Sequence, residues 1–211
     1  MADRLIYLDH AATTPVDPQV LAAMLPYFTE QFGNPSSIHQ VGRAALEALD
    51  DARETVARVL GANRKEIIFT GGGSESDNLA IKGAALALRQ AGRGAHLITS
   101  AIEHHAVLHA FEALEPLGFE TTVLPAGQDG LVDPAALRAA LRPDTTLVSI
   151  MYANNEIGTI QPLAELGAIC RAHGALLHTD AVQAAGSLAL NVDALQVDML
   201  TLAAHKFYGP K

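Results

Sequence analysis

The chain has 211 residues, long enough to bury a core and fold as one or two domains. Hydrophobic residues make up 49 % and charged residues 18 %, a mix that excludes intrinsic disorder. Its 14 Lys plus Arg stand against 23 Asp plus Glu for a formal charge of -9, which leaves no basic footprint for nucleic acid or an anionic membrane.

The amino terminus, "MADRLIYLDHAATTPVD", has no apolar stretch long enough for a signal peptide, and no later run approaches a membrane span. The single cysteine, Cys170, excludes an internal disulfide and fits a reducing compartment, so the expected location is cytoplasmic. Val41, Leu46, Leu49, Ala52, Val56 and Val59 recur at three- and four-residue spacing and predict an amphipathic helix. Short apolar runs follow at 66–70, 96–100, 120–125, 146–151, 175–179 and 198–204. Helical stretches at 75–91, 104–117 and 162–173 lie between them, and Asp133-Pro134 reads as a helix start. Apolar strands alternating with helices predict an α/β fold, a mostly parallel sheet covered on both faces in three αβα layers. Ligands bind such sheets at the carboxyl ends of the strands, so the polar residues just after each run carry the functional reading.

After 66–70 comes "GGGSESDNLAIKG". Glycines and Ser74 before a helix suit a phosphate held by backbone N–H groups, and equally suit a turn with Ser74 as N-cap. The segment matches neither a Walker loop nor a dinucleotide fingerprint. After 96–100, His104 opens a helix at the ligand-binding rim, where an imidazole stacks on a flat ring or moves a proton. His105 and His109 form an i, i+4 pair, but exposed helix histidines are the commoner reading and no metal is expected. After 146–151, the two asparagines of "YANNEIG" offer either a turn or an amide donor. Asp180 ends an apolar strand and needs a partner: the start of a short helix, or a protonated heterocyclic nitrogen. Gln183 lies three residues on and reaches the same ligand. The last run leads into His205 and Lys206. The chain has four lysines, at 65, 82, 206 and 211, and Lys206 alone directly follows a buried strand. It reads as a snorkelling surface lysine or as an amine able to bond a carbonyl carbon.

Together these residues supply a phosphate cradle, an amine, an acid for a ring nitrogen and a ring cap, the four needs of pyridoxal 5'-phosphate. The segments "YLDHAATTPVD", "FGNPSSIHQVGR", "GGGSESDNLAIKGAA", "EHHAVL", "YANNEIGTIQP", "HTDAVQAAG" and "HKFYGPK" resemble, in order and spacing, the signatures of cysteine desulfurases. These are class V members of the fold-type I pyridoxal-phosphate enzymes. The resemblance implies that Lys206 carries the cofactor covalently, with His104 stacking on the ring and shuttling protons. It implies that Asp180 keeps the ring nitrogen protonated, that Gln183 bonds the ring hydroxyl and that Asn155 orients cofactor and substrate. Gly73, Ser74 and His205 would hold the phosphate. The implied reaction takes L-cysteine to L-alanine, leaving sulfur as an enzyme persulfide for iron–sulfur cluster assembly or thiolation. Full-length members are homodimers and pass sulfur to an acceptor or scaffold protein.

Three departures qualify this, one of them a glycine-rich phosphate loop with Gly73 where alanine or glycine occurs and Ser74 for the usual threonine. The family's attacking cysteine lies downstream of the lysine, whereas Cys170 sits in "LAELGAICRAHG" and reads as a buried core residue. The family's serine three residues before the lysine is Ala203 here. The expectation is a partial large domain over 16–211, preceded by an amino-terminal segment 1–15. A returning strand and a small carboxy-terminal domain would lie beyond residue 211. The other readings are another class V enzyme, an aminotransferase or selenocysteine lyase, and a non-catalytic cofactor-binding fragment.

Overall fold

The computed structural model describes residues 5–211, so the first four positions of the 1–15 segment lie outside the described residues. The chain forms two compact units: residues up to Phe69 together with Ala203–Lys211, and Thr70–Leu202.

The first unit contains helices α1 (Pro18–Met24), α2 (Pro26–Thr29) and α3 (Gln40–Leu60). Asp17 starts α1 by accepting from the Gln19 N–H, with Pro18 in the position where a missing N–H costs nothing. The helix expected from the apolar spacing is α3; His39 caps its start, and Gly61 ends it at φ +72°, a conformation that favours glycine. The run at 66–70 is not a strand. Arg64–Glu66 makes a 3-10 turn, and the extended residues after it have no ladder partner among the described residues. Ile68 and Phe69 are accordingly exposed. Apolar character alone cannot supply the neighbouring backbone that a strand requires. The carboxy-terminal stretch of this unit opens with a second 3-10 turn, Ala204–Lys206.

The second unit is built on β1 (His96–Ser100), β2 (Glu120–Leu124), β3 (Thr145–Ser149), β4 (Leu176–Asp180) and β5 (Met199–Thr201). All neighbours are parallel, in the order β2-β1-β3-β4-β5. The unit's helices are α4 (Gly73–Gln90), α5 (His105–Glu112), α6 (Pro134–Ala140), α7 (Leu163–His173) and α8 (Val192–Leu195). Successive strand residues point to opposite faces, so the inner strands β1, β3 and β4 feed two cores. Leu97 and Leu147 pack with Ile81 and Ala85 of α4 and with Val107, Ala110 and Phe111 of α5. Ile98, Val148 and Leu177 pack on the other side with Leu137 of α6 and with Leu163, Leu166 and Ile169 of α7. This is the expected three-layer αβα arrangement around a parallel sheet. The helix expected over 104–117 stops at Glu112 and resumes as a 3-10 turn at Glu115–Leu117, because Pro116 has no N–H to continue the α-helical ladder.

Asp133 caps α6, its Oδ1 accepting from the Ala135 N–H at 2.8 Å. Asp133→Ala is expected to cost about 1 kcal/mol, the usual value of a helix cap, read as a lowered midpoint in urea unfolding. No helix among the described residues is long and apolar enough to cross a membrane.

Candidate functional site

The order β2-β1-β3 reverses direction at β1: the chain leaves it for β2 on one side and later fills β3 on the other. In an open parallel sheet the crevice beyond such a point receives ligands, because the loops leaving the two strands part there. Of the second unit's candidate residues, His104 and Asn155 follow β1 and β3, Gly73 and Ser74 start α4, and Asp180 and Gln183 lie at and just after the end of β4.

The helix α4 begins at Gly73, with Gly72 rather than Ser74 as its N-cap. Ser74 lies inside the first turn, so the N–H groups of Gly73 and Ser74 belong to the four that an α-helix leaves without an intrahelical partner. The Gly71 N–H is already taken by the Glu75 carboxylate. A Cβ added at Gly72 would meet nothing within 4 Å, so there is open space against this backbone. His104 caps α5 through Nδ1, which accepts from the Ala106 N–H at 3.1 Å. That bond fixes the ring's tautomer and orientation.

Of the two asparagines after β3, Asn154 makes the turn. It is buried, its Oδ1 accepts from the N–H groups of Glu156 and Ile157, and its Nδ2 donates to the Ile102 carbonyl. Asn155 is left exposed beside it. Asp180 closes β4 at 6 % exposure, and its Oδ1 accepts from the Val182 N–H at 2.9 Å. The segment after it is a series of turns rather than the expected helix, and Gln183 stands half-buried within that series.

Three buried groups that sequence reasoning missed lie beneath these residues. Glu103 precedes His104; its Oε1 accepts from Ser100 Oγ and from the Met151 N–H, tying the loop after β1 to the end of β3. Burial pushes its carboxyl up to about 8, against the pull of those two bonds, and the charges of Asp180 and Asp77 add to the rise. Burial likewise raises Asp77, in the first turns of α4, to about 7, helped by Asp180 and opposed by a hydrogen bond with Thr201. His178, wholly inside β4, is pushed down to about 3 by burial. Its Nδ1 pairs with Ser149 Oγ at 2.8 Å and its Nε2 with Thr201 Oγ1 at 3.0 Å. The 3.7 Å approach of His178 Nε2 to Asp77 Oδ1 is therefore no ion pair at neutral pH, since burial keeps the imidazole uncharged. Thr201 Oγ1 also lies 3.3 Å from Ser76 Oγ, linking β5 to α4. A histidine inside "LLHTD" and a carboxylate on an apolar helix face were the available signals.

Gly73, Ser74, His104, Asn155, Asp180 and Gln183 thus belong to the second unit, and His205 and Lys206 to the first. In the first unit His205 Nδ1 pairs with Thr13 Oγ1 at 3.1 Å, and Lys206 Nζ donates to the Ala11 carbonyl. Burial lowers the His205 imidazole, and the positive charges of Lys206 and Lys211 lower it further. Cys170 is buried on α7 in the sheet core, and burial pushes its thiol up to about 12. Such a thiol is almost wholly protonated at neutral pH and inert as a nucleophile. The His105 and His109 rings stack at 5.5 Å, and the described residues contain no cluster of three potential metal ligands.

The parallel sheet, the helix amino terminus at Gly73, the His104 cap and the buried Asp180 belong to an α/β domain. The chain belongs to the class-V aminotransferase family, whose pattern matches residues 6–211. It is 56 % identical over 208 residues to a cysteine desulfurase IscS of Dictyoglomus turgidum, covering 99 % of this chain and 52 % of that protein. It is 54 % identical over 209 residues to the cysteine desulfurase IscS of Methanosarcina thermophila, covering 99 % and 51 %. Among solved structures, SspA in complex with cysteine superposes with a TM-score of 0.93 at 44 % identity, over 98 % of this chain and 59 % of that one. A NifS-like protein gives 0.93 at 41 % identity, over 98 % and 57 %. The resemblance to cysteine desulfurases is thus borne out among the curated relatives, and the chain spans about half of their length.

Proposed function

We propose that this chain is the cofactor-binding part, over 16–211, of a pyridoxal-phosphate-dependent cysteine desulfurase. The observation that carries the reading is Asp180: a buried carboxylate at a strand end, beside Asp77 and Glu103, which burial holds toward their neutral forms. Such a carboxylate is suited to a cationic ring nitrogen in a medium of low dielectric. The donor set fits the group as well. Open backbone N–H groups at Gly73 and Ser74, with His205, suit its phosphate, and Lys206 suits its aldehyde carbon. When bound, pyridoxal phosphate supplies an electron sink for the substrate's amino-acid carbon.

The chain's own residues do the rest. Asp180 would hold a proton on the ring nitrogen, and Gln183 would donate to the ring hydroxyl. His104, held through Nδ1 by the Ala106 N–H, would stack with its ring face and keep Nε2 for proton transfer. Asn155 orients the substrate. Lys206 would anchor the cofactor through Nζ, and once the substrate's amine had displaced it, that Nζ would take up or return the α proton. The reading carries with it L-cysteine as substrate, a cytoplasmic homodimer for the whole protein, and a sulfur-acceptor protein. SspA, solved with cysteine, and the desulfurase relatives support the substrate.

The test is alanine formation from L-cysteine by the intact protein loaded with pyridoxal phosphate. L-serine is expected to give none, and an intact protein that leaves cysteine unconsumed ends the reading. For the 211 residues alone, cofactor capture with alanine near background is expected. Cys170→Ser should leave both measurements unchanged, because the buried thiol offers no thiolate to attack sulfur.

A further inference from the structure

We infer that Thr14 is a positioning residue for Lys206, fixing the backbone on both sides of it. The inference rests on the reading of Lys206 as cofactor anchor, and its geometry lies wholly within the first unit. The turn that carries Lys206 spans Ala204–Lys206. Two residues later Tyr208 adopts φ +66°, a left-handed conformation that side chains larger than glycine rarely take. Such a backbone persists only where its surroundings over-determine it.

Thr14 supplies much of that determination. Its N–H donates to the His205 carbonyl at 2.8 Å, and its Oγ1 donates to the same oxygen at 2.9 Å. The same Oγ1 accepts from the Tyr208 N–H at 2.7 Å. The Asp17 N–H completes the clasp by donating to the Tyr208 carbonyl at 2.9 Å. One hydroxyl therefore ties residue 205 to residue 208, with Lys206 between them. Thr14 is 7 % exposed within an otherwise largely exposed segment, and its hydroxyl is paired both as donor and as acceptor. Valine would fill the same space with neither bond.

An amine reacts efficiently with a bound carbonyl carbon only when its backbone is held near the attack geometry. A freely moving lysine stays just as reactive toward a small reagent in solution. This contrast separates positioning from simple structural support. Thr14→Val is expected to slow borohydride-trapped labelling of Lys206 by pyridoxal phosphate about tenfold or more. Thr14→Ser, which keeps the hydroxyl, should stay close to wild type. Acetylation of Lys206 by acetic anhydride should be unchanged in both, and amide exchange at Tyr208 should accelerate in Thr14→Val alone. A Thr14→Val protein that labels at the wild-type rate, a serine variant as slow as valine, or acetylation that changes in parallel would each overturn the inference. If Thr14→Val does not fold, the serine variant still decides through its labelling rate and its Tyr208 exchange. A wild-type chain that takes no label on Lys206 sinks the cofactor reading itself, a different outcome from a label indifferent to Thr14.

Discussion

Lys206→Ala is expected to abolish the borohydride-stable pyridoxyl label, with at least ~100-fold less label recovered than from wild type, since no other amine replaces an oriented one. Peptide mass spectrometry would locate the label. Lys65→Ala, Lys82→Ala and Lys211→Ala, which remove the remaining lysines of the chain, should each leave it in place. Lys206→Arg should fail as completely as alanine, because a guanidinium keeps its proton and its charge but cannot add to a carbonyl. The variant should still fold. The Lys206 backbone N–H still donates to the Ala203 carbonyl, and the Nζ bond to Ala11 is solvent-exposed. A label that persists in Lys206→Ala, or that maps to Lys82, would show that the amine at the carboxy-terminal turn is not the anchor.

Much of the second unit was legible in the sequence because its inner strands are largely apolar runs and its helices fall between them. β1, β2, β3, β4 and β5 all lie within or overlap the apolar runs, differing mainly at their ends. The run at 66–70 has the same composition and forms no strand: a ladder is a relation between two segments, and composition describes one. The site divides in the same way. His104 and Asp180 could be named as candidates because a strand end is a local feature and their residue types are unusual there. Asn155 could be named but not told apart from Asn154, since which amide turns inward depends on the Ile102 carbonyl that it meets. Asp77, Glu103 and His178 went unread because burial from several elements at once leaves no periodic mark. Thr14 is the extreme case: its partners lie 191 and 194 residues away.

The buried carboxyl of Glu103 has a consequence for stability that can be measured directly. In the unfolded chain a glutamate loses its proton near its ordinary value of 4.5, whereas in the folded protein Glu103 keeps it up to about 8. Between these values the native state binds more protons than the unfolded state, so stability falls as pH rises through this window and levels off above it. Asp77, raised to about 7, contributes in the same direction from a lower starting point. His178 acts at the acid end: it stays neutral in the fold while the unfolded imidazole is protonated below its ordinary 6.5, so its penalty grows as pH falls toward 3. Glu103→Gln removes the titration while its amide oxygen can still accept from Ser100 and the Met151 N–H. At pH 5 the variant should be the less stable protein, because its NH2 replaces Oε2, a buried atom with no hydrogen-bond partner. By pH 9 the order should reverse, because the wild type must then bury a charge or hold a proton against the solvent. The stability difference between the two is expected to swing by a few kcal/mol across that range, since each unit of pKa displacement is worth about 1.4 kcal/mol. Urea unfolding of both proteins at pH 5, 7 and 9 measures it. A difference independent of pH would mean that Glu103 is ionised in the native fold, and Asp180 would then share its surroundings with a second negative charge.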